Sequence, residues 1–545
     1  MLKIVNGQVY DPLNGDRGEV RDVYIEGGKV VDTLSTKIAE VIDATGCVVM
    51  PGGVEIHSHI AGAKVNSARS MCPEDHYDHF KKVTAITRSG SGFTIPTTFL
   101  TGYLYAQLGY TTAFEAAVPV LEARHAHEEL QDTPLLDTGI YTLMGNNYLI
   151  MKVLSEKDDS ARKNRLRDLV TWLLTSSKGY AVKVVNPGGV ESWKWGKGSV
   201  DLDTPVPPFG VTPRGILLGL AEAIKDLRLP HGLHLHANHL GEPGNFKTTL
   251  ETMYALEGYP IHFTHLQFHS YGMTKRWGLS SAASEIAEYL NTRPEFTYDV
   301  GQLVFGPATT MTSDSPMQFR LHQMTGNKWI SADIEMETGS GIVPLAYKQS
   351  NLVNAIQWCI GLELLLLTKN PWQVSLTTDH PNAGPFTAYP HIIRLLMDYD
   401  FRNEMLEQLP PKVAQFTNLK DIKREYSLEE ITIITRSGPA KDLGLKHKGH
   451  LGINADADVA IYRLLEDKEK MFARPAYVLK NGKVIVKDGE ITQSLSGKSF
   501  LVDPDGSKVL PPDLIEEFAK YYTIALANYA VQDEYIIHPE VIACD

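Results

Sequence analysis

Between about residues 49 and 440, short apolar runs that end on polar residues alternate with stretches of helical spacing. Runs rich in Val, Ile and Leu and bounded by Gly or Pro read as buried strands. Strands that alternate with helices read as parallel βα units. The expected strands are 48–58, 111–118, 136–144, 181–187, 232–237, 261–267, 296–305 and 374–380. Eight such units imply an α/β chain folded as a (β/α)8 barrel, whose chemistry gathers at the C-terminal ends of its strands. The connections 59–110, 188–215 and 306–373 are long, and long loops on that face carry binding or lid roles.

The ends of the chain read differently. Leu2–Tyr10, Asp22–Glu26 and Lys29–Val31 alternate in the β manner, and a matching block returns at 449–461 and 476–486. Asn6-Gly7, Gly27-Gly28 and Asn481-Gly482 are hairpin signals. The two ends are expected to pair into one small β-sandwich. This gives a composite domain of 1–48 plus 441–500, a barrel of 49–440 and a C-terminal helical extension of 501–545. The extension opens at Pro511-Pro512 and has helical spacing over Asp513–Tyr522, which suits a helix covering the core or docking partner subunits.

Composition narrows the class. Hydrophobic content of 43% and charged content of 21% over 545 residues fit a soluble globular enzyme. With 52 basic against 65 acidic residues, the net charge of -13 argues against nucleic acid as the main partner. The four cysteines (Cys47, Cys72, Cys359, Cys544) are scattered and form no C-x-x-C pair, so they suit neither a disulfide framework nor an iron–sulfur site. No leader and no membrane span are expected, and the predicted location is cytoplasmic.

The chemistry is concentrated at the strand ends. His57 and His59 lie two apart in Gly53-Val54-Glu55-Ile56-His57-Ser58-His59, so on a strand they face one way and can reach one metal ion. Alone, the pair reads first as hydrogen-bonded histidines at a strand end. Four further runs change the balance. Leu376-Thr377-Thr378-Asp379 ends on a carboxylate, and Leu233-His234-Leu235-His236 and Ile261-His262-Phe263-Thr264-His265 each deliver histidines. Ala181-Val182-Lys183-Val184-Val185 buries a lysine, which is costly unless the amine is paired or modified. A neutral lysine amine takes up carbon dioxide to give a carbamate long enough to bridge two metals. Lys178 is the competing lysine, but it precedes the strand. His234 and His236 share a face, so either suits a ligand, and His262 competes with His265.

Together, His57-x-His59, a lysine on a middle strand, histidines on two later strands and Asp379 resemble the amidohydrolase superfamily. The stretches Val185-Asn186-Pro187-Gly188-Gly189, His234–Asn238 and His262–Gly272 are more specific. They are similar to the A subunits of formylmethanofuran dehydrogenases and of the formyltransferase/hydrolase complexes of methylotrophs, a likeness running from Met1 to about Leu501. The resemblance implies two Zn(2+), with His57, His59 and Asp379 on one ion, His236 and His265 on the other, and N6-carboxylated Lys183 between them. It implies reversible hydrolysis of formylmethanofuran to formate and methanofuran, with Asp379 as general base and then acid. It also implies partner subunits in a complex, and Lys64 and Arg69 near the acidic tail of a methanofuran-type substrate. His239, His269 and His380 read as outer partners of the ligands, and His76 and His79 lack a complete ligand set. The alternatives are a dehydrogenase subunit working in the formate-fixing direction, a cyclic amidase such as a dihydropyrimidinase, and a scaffold without catalysis. The full ligand set argues against the last.

Overall fold

The computed structural model describes the chain from Met1 to Asp545 apart from residues 36–39, 78, 275–277 and 332–340, so Asp78 of the first long loop lies outside the described residues. Its centre is a parallel barrel of eight strands: β1 (Gly53–Ser58), β2 (Tyr110–Val118), β3 (Asp137–Leu143), β4 (Ala181–Val185), β5 (Leu233–His236), β6 (Ile261–Phe263), β7 (Phe296–Asp299) and β8 (Val374–Ser375). Neighbours in this order pair in parallel throughout. Closure between β8 and β1 comes just beyond their ladders, where Ser58 bridges His380 and the His59 N–H donates to the His380 carbonyl at 2.7 Å. β2 and β3 are buried along their whole length, as strands covered on both faces must be.

The expected first strand, 48–58, is two strands. Cys47–Pro51 pairs antiparallel with Val459–Arg463 and parallel with Gln8–Asp11, whereas Gly53–Ser58 enters the barrel. The chain turns from one sheet to the other at Gly52-Gly53, where it packs on the second strand. A Cβ on Gly53 would lie 2.6 Å from the Tyr110 ring. The last two strands are also shorter than expected. β7 stops at Asp299 and β8 at Ser375, because the residues after each turn their backbone bonds to one another, as in Gln302 N–H to Thr377 O at 2.8 Å.

The ends of the chain build two further sheets. One has seven strands and mixes N- and C-terminal segments, with Cys47–Pro51 at the seam; the other has four strands, all from the first 43 residues. Leu2, Ile4, Val23 and Ile25 of the smaller sheet bury against Val49, Val459, Ile461 and Leu479 of the larger. Gly27-Gly28 and Asn481-Gly482 turn hairpins as expected. Asn6-Gly7 does not. It carries the chain from the smaller sheet to the larger, since Leu2–Val5 pairs with Val23–Glu26 and Gln8–Asp11 pairs with Asp16–Val20.

The extension beyond residue 500 is part strand and part helix. Ser499–Val502 lies beside β3 and pairs with Pro539–Ile542, while helix Pro512–Tyr521 buries Leu514 and Phe518. Tyr521 stacks on Tyr148 with ring centres 3.8 Å apart, so the helix covers the barrel's helical layer. The 306–373 connection carries an antiparallel strand pair (Gly306–Thr310 with Gly341–Tyr347) and helices Ser315–Thr325 and Leu352–Leu367. Among the described residues, no helix is long and apolar enough to cross a membrane.

Candidate metal centre

His57 is the penultimate residue of β1 and His59 follows the strand directly, so both rings enter the C-terminal mouth of the barrel. Each is held from behind by a carboxylate. Asp299, at the end of β7, lies 2.9 Å from His57 Nδ1, and Glu115, inside β2, lies 3.2 Å from His59 Nδ1. A carboxylate on one ring nitrogen fixes the tautomer and turns the other nitrogen towards a metal. Both Nε2 atoms meet Asp379 Oδ1, at 3.1 Å from His57 and 3.2 Å from His59. The three residues offer ligand atoms within 4.8 Å of one another and are buried. Asp379 Oδ1 also accepts from Asn382 Nδ2 at 2.7 Å, whereas Oδ2 is buried without a hydrogen-bond partner.

Opposite them, His236 at the end of β5 meets His265, just past β6, and His269 in the turn that follows. His236 Nδ1, His265 Nδ1 and both nitrogens of His269 are buried without a partner. Buried polar groups in folded proteins are nearly always paired, so this concentration of orphan lone pairs beside an orphan carboxylate oxygen is the environment a cation satisfies. The residues therefore fit a metal centre.

Lys183, in the middle of β4, is fully buried, with Thr264 Oγ1 3.4 Å from Nζ. Burial pushes its ammonium down to about 7, although Asp299 and Asp379 act the other way. About half of it is then the free amine at neutral pH. Asp379 shows the opposite balance. Burial would raise its carboxyl, but His57 and His265, and the hydrogen bonds from His57 and His59, hold it well below the usual range. Asp299 is held low in the same way, against its own burial, by His57 and His262.

The competing histidines separate by their partners. His234 Nε2 is 3.0 Å from His57 Nδ1, and its Nδ1 is 2.9 Å from His231, one layer beneath the mouth. His262 lies between Asp442 Oδ2 at 2.7 Å and Asp299 Oδ2 at 3.3 Å. Burial disfavours its charged form, but the two carboxylates outweigh it and push His262 up to about 9, and a protonated ring has no lone pair to give. His239 is held by Glu242 and Asp201. His380 joins the barrel closure, and Lys178 caps helix Asp159–Ser177 and pairs with Asp533.

Backbone strain is concentrated at the same mouth. Asp379 (φ 46°), His265 (φ 36°) and Asn186 (φ 42°) are all left-handed. Such conformations cost about 1–3 kcal/mol each in a residue other than glycine and persist where the surroundings enforce them. Asn186 Nδ2 donates to Asp314 Oδ1 at 3.0 Å, and Asp314 Oδ2 lies 3.2 Å from His236 Nε2, so the loop after β4 orients the histidine that ends β5 through the 306–373 connection.

Lys64 and Arg69 lie on helix Ala63–Met71 beside the mouth, and both are engaged within the chain. Lys64 is buried, with Nζ donating to the Ala117 carbonyl at 2.5 Å and lying 3.3 Å from Glu115. Arg69 pairs with Glu129 at 2.6 Å and donates to the Pro96 and Ile60 carbonyls. A substrate carboxylate would have to compete with these partners. Three carboxylates that matter here escape the sequence reading, Glu115, Asp299 and Asp314, and His269, whose ring is orphaned, is read there only as an outer partner. Glu115 and Asp299 had a signal, since each is a carboxylate within or closing an expected strand, but no role was assigned to either. Asp314 had none.

The amidohydrolase family matches residues 40–486 of the chain. The protein FwdA of Methanocaldococcus jannaschii is 47% identical, over 99% of this chain and 98% of its own. The A subunit of the formyltransferase/hydrolase complex Fhc of Methylorubrum extorquens is 41% identical, over 98% and 97% respectively. The crystal structure of that organism's FhcABCD complex with methylofuran superposes with a TM-score of 0.94 at 40% identity, covering both chains completely.

Proposed function

Because the chain belongs to the amidohydrolase family, we propose that it hydrolyses a formyl–amine bond reversibly, releasing formate and the free amine of a methanofuran-type carrier, as one subunit of a formyltransferase/hydrolase complex. The observation that carries the reading is the convergence of His57 Nε2 and His59 Nε2 on Asp379 Oδ1, beside a carboxylate oxygen without a partner. The complete coverage of a relative solved with methylofuran supports the substrate class. The scattered free cysteines support a cytoplasmic setting.

In this reading, His57, His59 and Asp379 would hold one Zn(2+), His236 and His265 would hold a second, and Lys183, once carboxylated, would supply a further carboxylate to them. Nitrogen and oxygen ligands of this kind suit zinc. When bound, two such ions polarise a carbonyl oxygen and lower the pKa of a shared water. The chain does the rest. Lys183 can present a neutral amine for carboxylation because burial pushes its ammonium down to about 7. Asp299 and Glu115 keep the two imidazoles turned inwards. Asp379 Oδ2 takes the proton of the attacking water and returns it to the departing nitrogen, acting as base and then acid. The reverse reaction uses the same groups in the opposite order.

The test is formate release from formylmethanofuran by the chain purified with its partners. Asp379→Asn is expected to lower kcat by more than about 10²-fold, the lower range for a lost acid–base group. Hydantoin or dihydropyrimidine hydrolysis by the isolated chain, with no action on the formylated amine, would replace this reading by a cyclic amidase.

A further inference from the structure

His269 is the one ring at the barrel mouth with both nitrogens buried and unpartnered among the described residues. It is 2% exposed, and it does not come from a barrel strand but from the single turn Leu266–His269 behind β6. Its ring centre lies 5.4 Å from those of both His236 and His265, and the latter two are 4.6 Å apart. The candidate ligand atoms of the three lie within 4.8 Å of one another.

These distances have a simple reading. A nitrogen bound to zinc at about 2.0–2.1 Å puts its ring centre about 3.2 Å from the ion, and two such rings at a tetrahedral angle are about 5.2 Å apart. The three observed separations bracket that value. Rings stacked only for packing would satisfy their N–H groups on neighbouring carbonyls or carboxylates, as His231 and His262 do on the Asp442 carbonyl and carboxylate one layer below. The titratable groups that act on His269 are His236, His239, Lys183 and Asp299, and none makes a hydrogen bond to its ring.

We propose that His269 is a metal ligand, completing a three-imidazole site with His236 and His265. Asp314 acts on this site from outside, turning His236 through Nε2. The inference rests on the reading of the mouth as a metal centre, but it is independent of whether Lys183 carries a carboxyl group. A site with three neutral nitrogens is softer than one with two, so it favours zinc or cobalt over magnesium or manganese.

The experiment compares the complex containing wild-type chain, His269→Ala, His269→Gln and a control, His239→Ala. Zinc per chain is counted, zinc affinity is measured by chelator competition, and the visible spectrum of the cobalt-substituted protein is recorded. If the wild type holds two ions, both His269 variants are expected to lose one, or to bind it more than about 100-fold more weakly, with an altered cobalt spectrum and His239→Ala unchanged. That loss exceeds the roughly 10–100-fold typical of an outer partner. If the wild type holds one ion, the same loss at that ion upholds the proposal although the binuclear reading fails. A smaller loss with an unaltered cobalt spectrum overturns it, as does a wild type that binds no metal. His269→Gln keeps the volume and decides the matter if His269→Ala does not fold. Carbon-13 carbon dioxide labelling of Lys183 is read separately, and its failure removes the bridge without touching His269.

Discussion

Asp299 does more than one job at the residue scale. It accepts from His57 through Oδ2, and from the His265 N–H at 2.8 Å and Thr377 Oγ1 at 2.9 Å through Oδ1, so one side chain fixes groups from β1, the turn after β6 and the chain after β8. Glu115 similarly accepts from His59 and from the Ala61 N–H at 2.9 Å. Asp299→Asn and Glu115→Gln should each weaken metal binding about 10–100-fold, as loss of an outer carboxylate does elsewhere, and chelator competition on folded protein reads this. Lys183 carries a pH prediction. Its proton leaves at about 7 in the folded chain without metal, against an ordinary value of 10.5. Below pH 7 both states are protonated and the cost of burial is complete. Between pH 7 and 10.5 the unfolded chain binds more protons than the folded one, so stability rises with pH across that window, by on the order of 4 kcal/mol. Lys183→Met should remove this rise, as measured by denaturant midpoints at pH 7 and 10 on chelated protein. An undiminished rise in the variant would assign it to other groups.

At the scale of elements, the site depends on chain paths just beyond the strands. Gly301, two residues after β7, has φ 61°, and a Cβ there would lie 2.5 Å from His265 Cβ and 2.9 Å from its Cα. The strand end and the turn that carries His265 are therefore in direct backbone contact. Gly301→Ala should displace His265, cost about 1–3 kcal/mol as overpacking does, and reduce the metal content before it abolishes folding. Full zinc content with unchanged stability would show that the turn yields freely. β1 depends equally on its entry point. Because the chain leaves the sandwich at Pro51 and enters the barrel at Gly53, the registers of two sheets are set within three residues of each other, close behind His57.

At the scale of the whole molecule, barrel and sandwich are joined by buried charges. Lys448 and Lys480 both reach Asp137 at the start of β3, and Lys480 lies 3.0 Å and Lys448 2.7 Å from Asp458, which precedes the sandwich strand Val459–Arg463. Removing one partner of a buried set leaves an uncompensated charge and costs about 3–5 kcal/mol. Lys480→Met is therefore expected to lower the stability of both units together in a single transition followed by near-UV circular dichroism. Separate unfolding of sandwich and barrel would show that the network does not couple them. Much of this organisation is legible in the sequence, because strand burial and strand-end polarity are local. The alternation of apolar runs determines the eight strands, two-residue spacing gives His57 and His59 a shared direction, and the β-rich termini announce their pairing. The tertiary structure alone decides the rest. Whether His262 or His265 has a free lone pair depends on Asp299 and Asp442, which lie 37 and 180 residues from His262. Whether Lys64 is free depends on Glu115, a strand away. The break at Gly52-Gly53 and the crossing at Asn6-Gly7 depend on which sheet receives each strand. Protonation, pairing and sheet membership are set by groups remote in the chain, and only folding brings those groups within a few ångströms of one another.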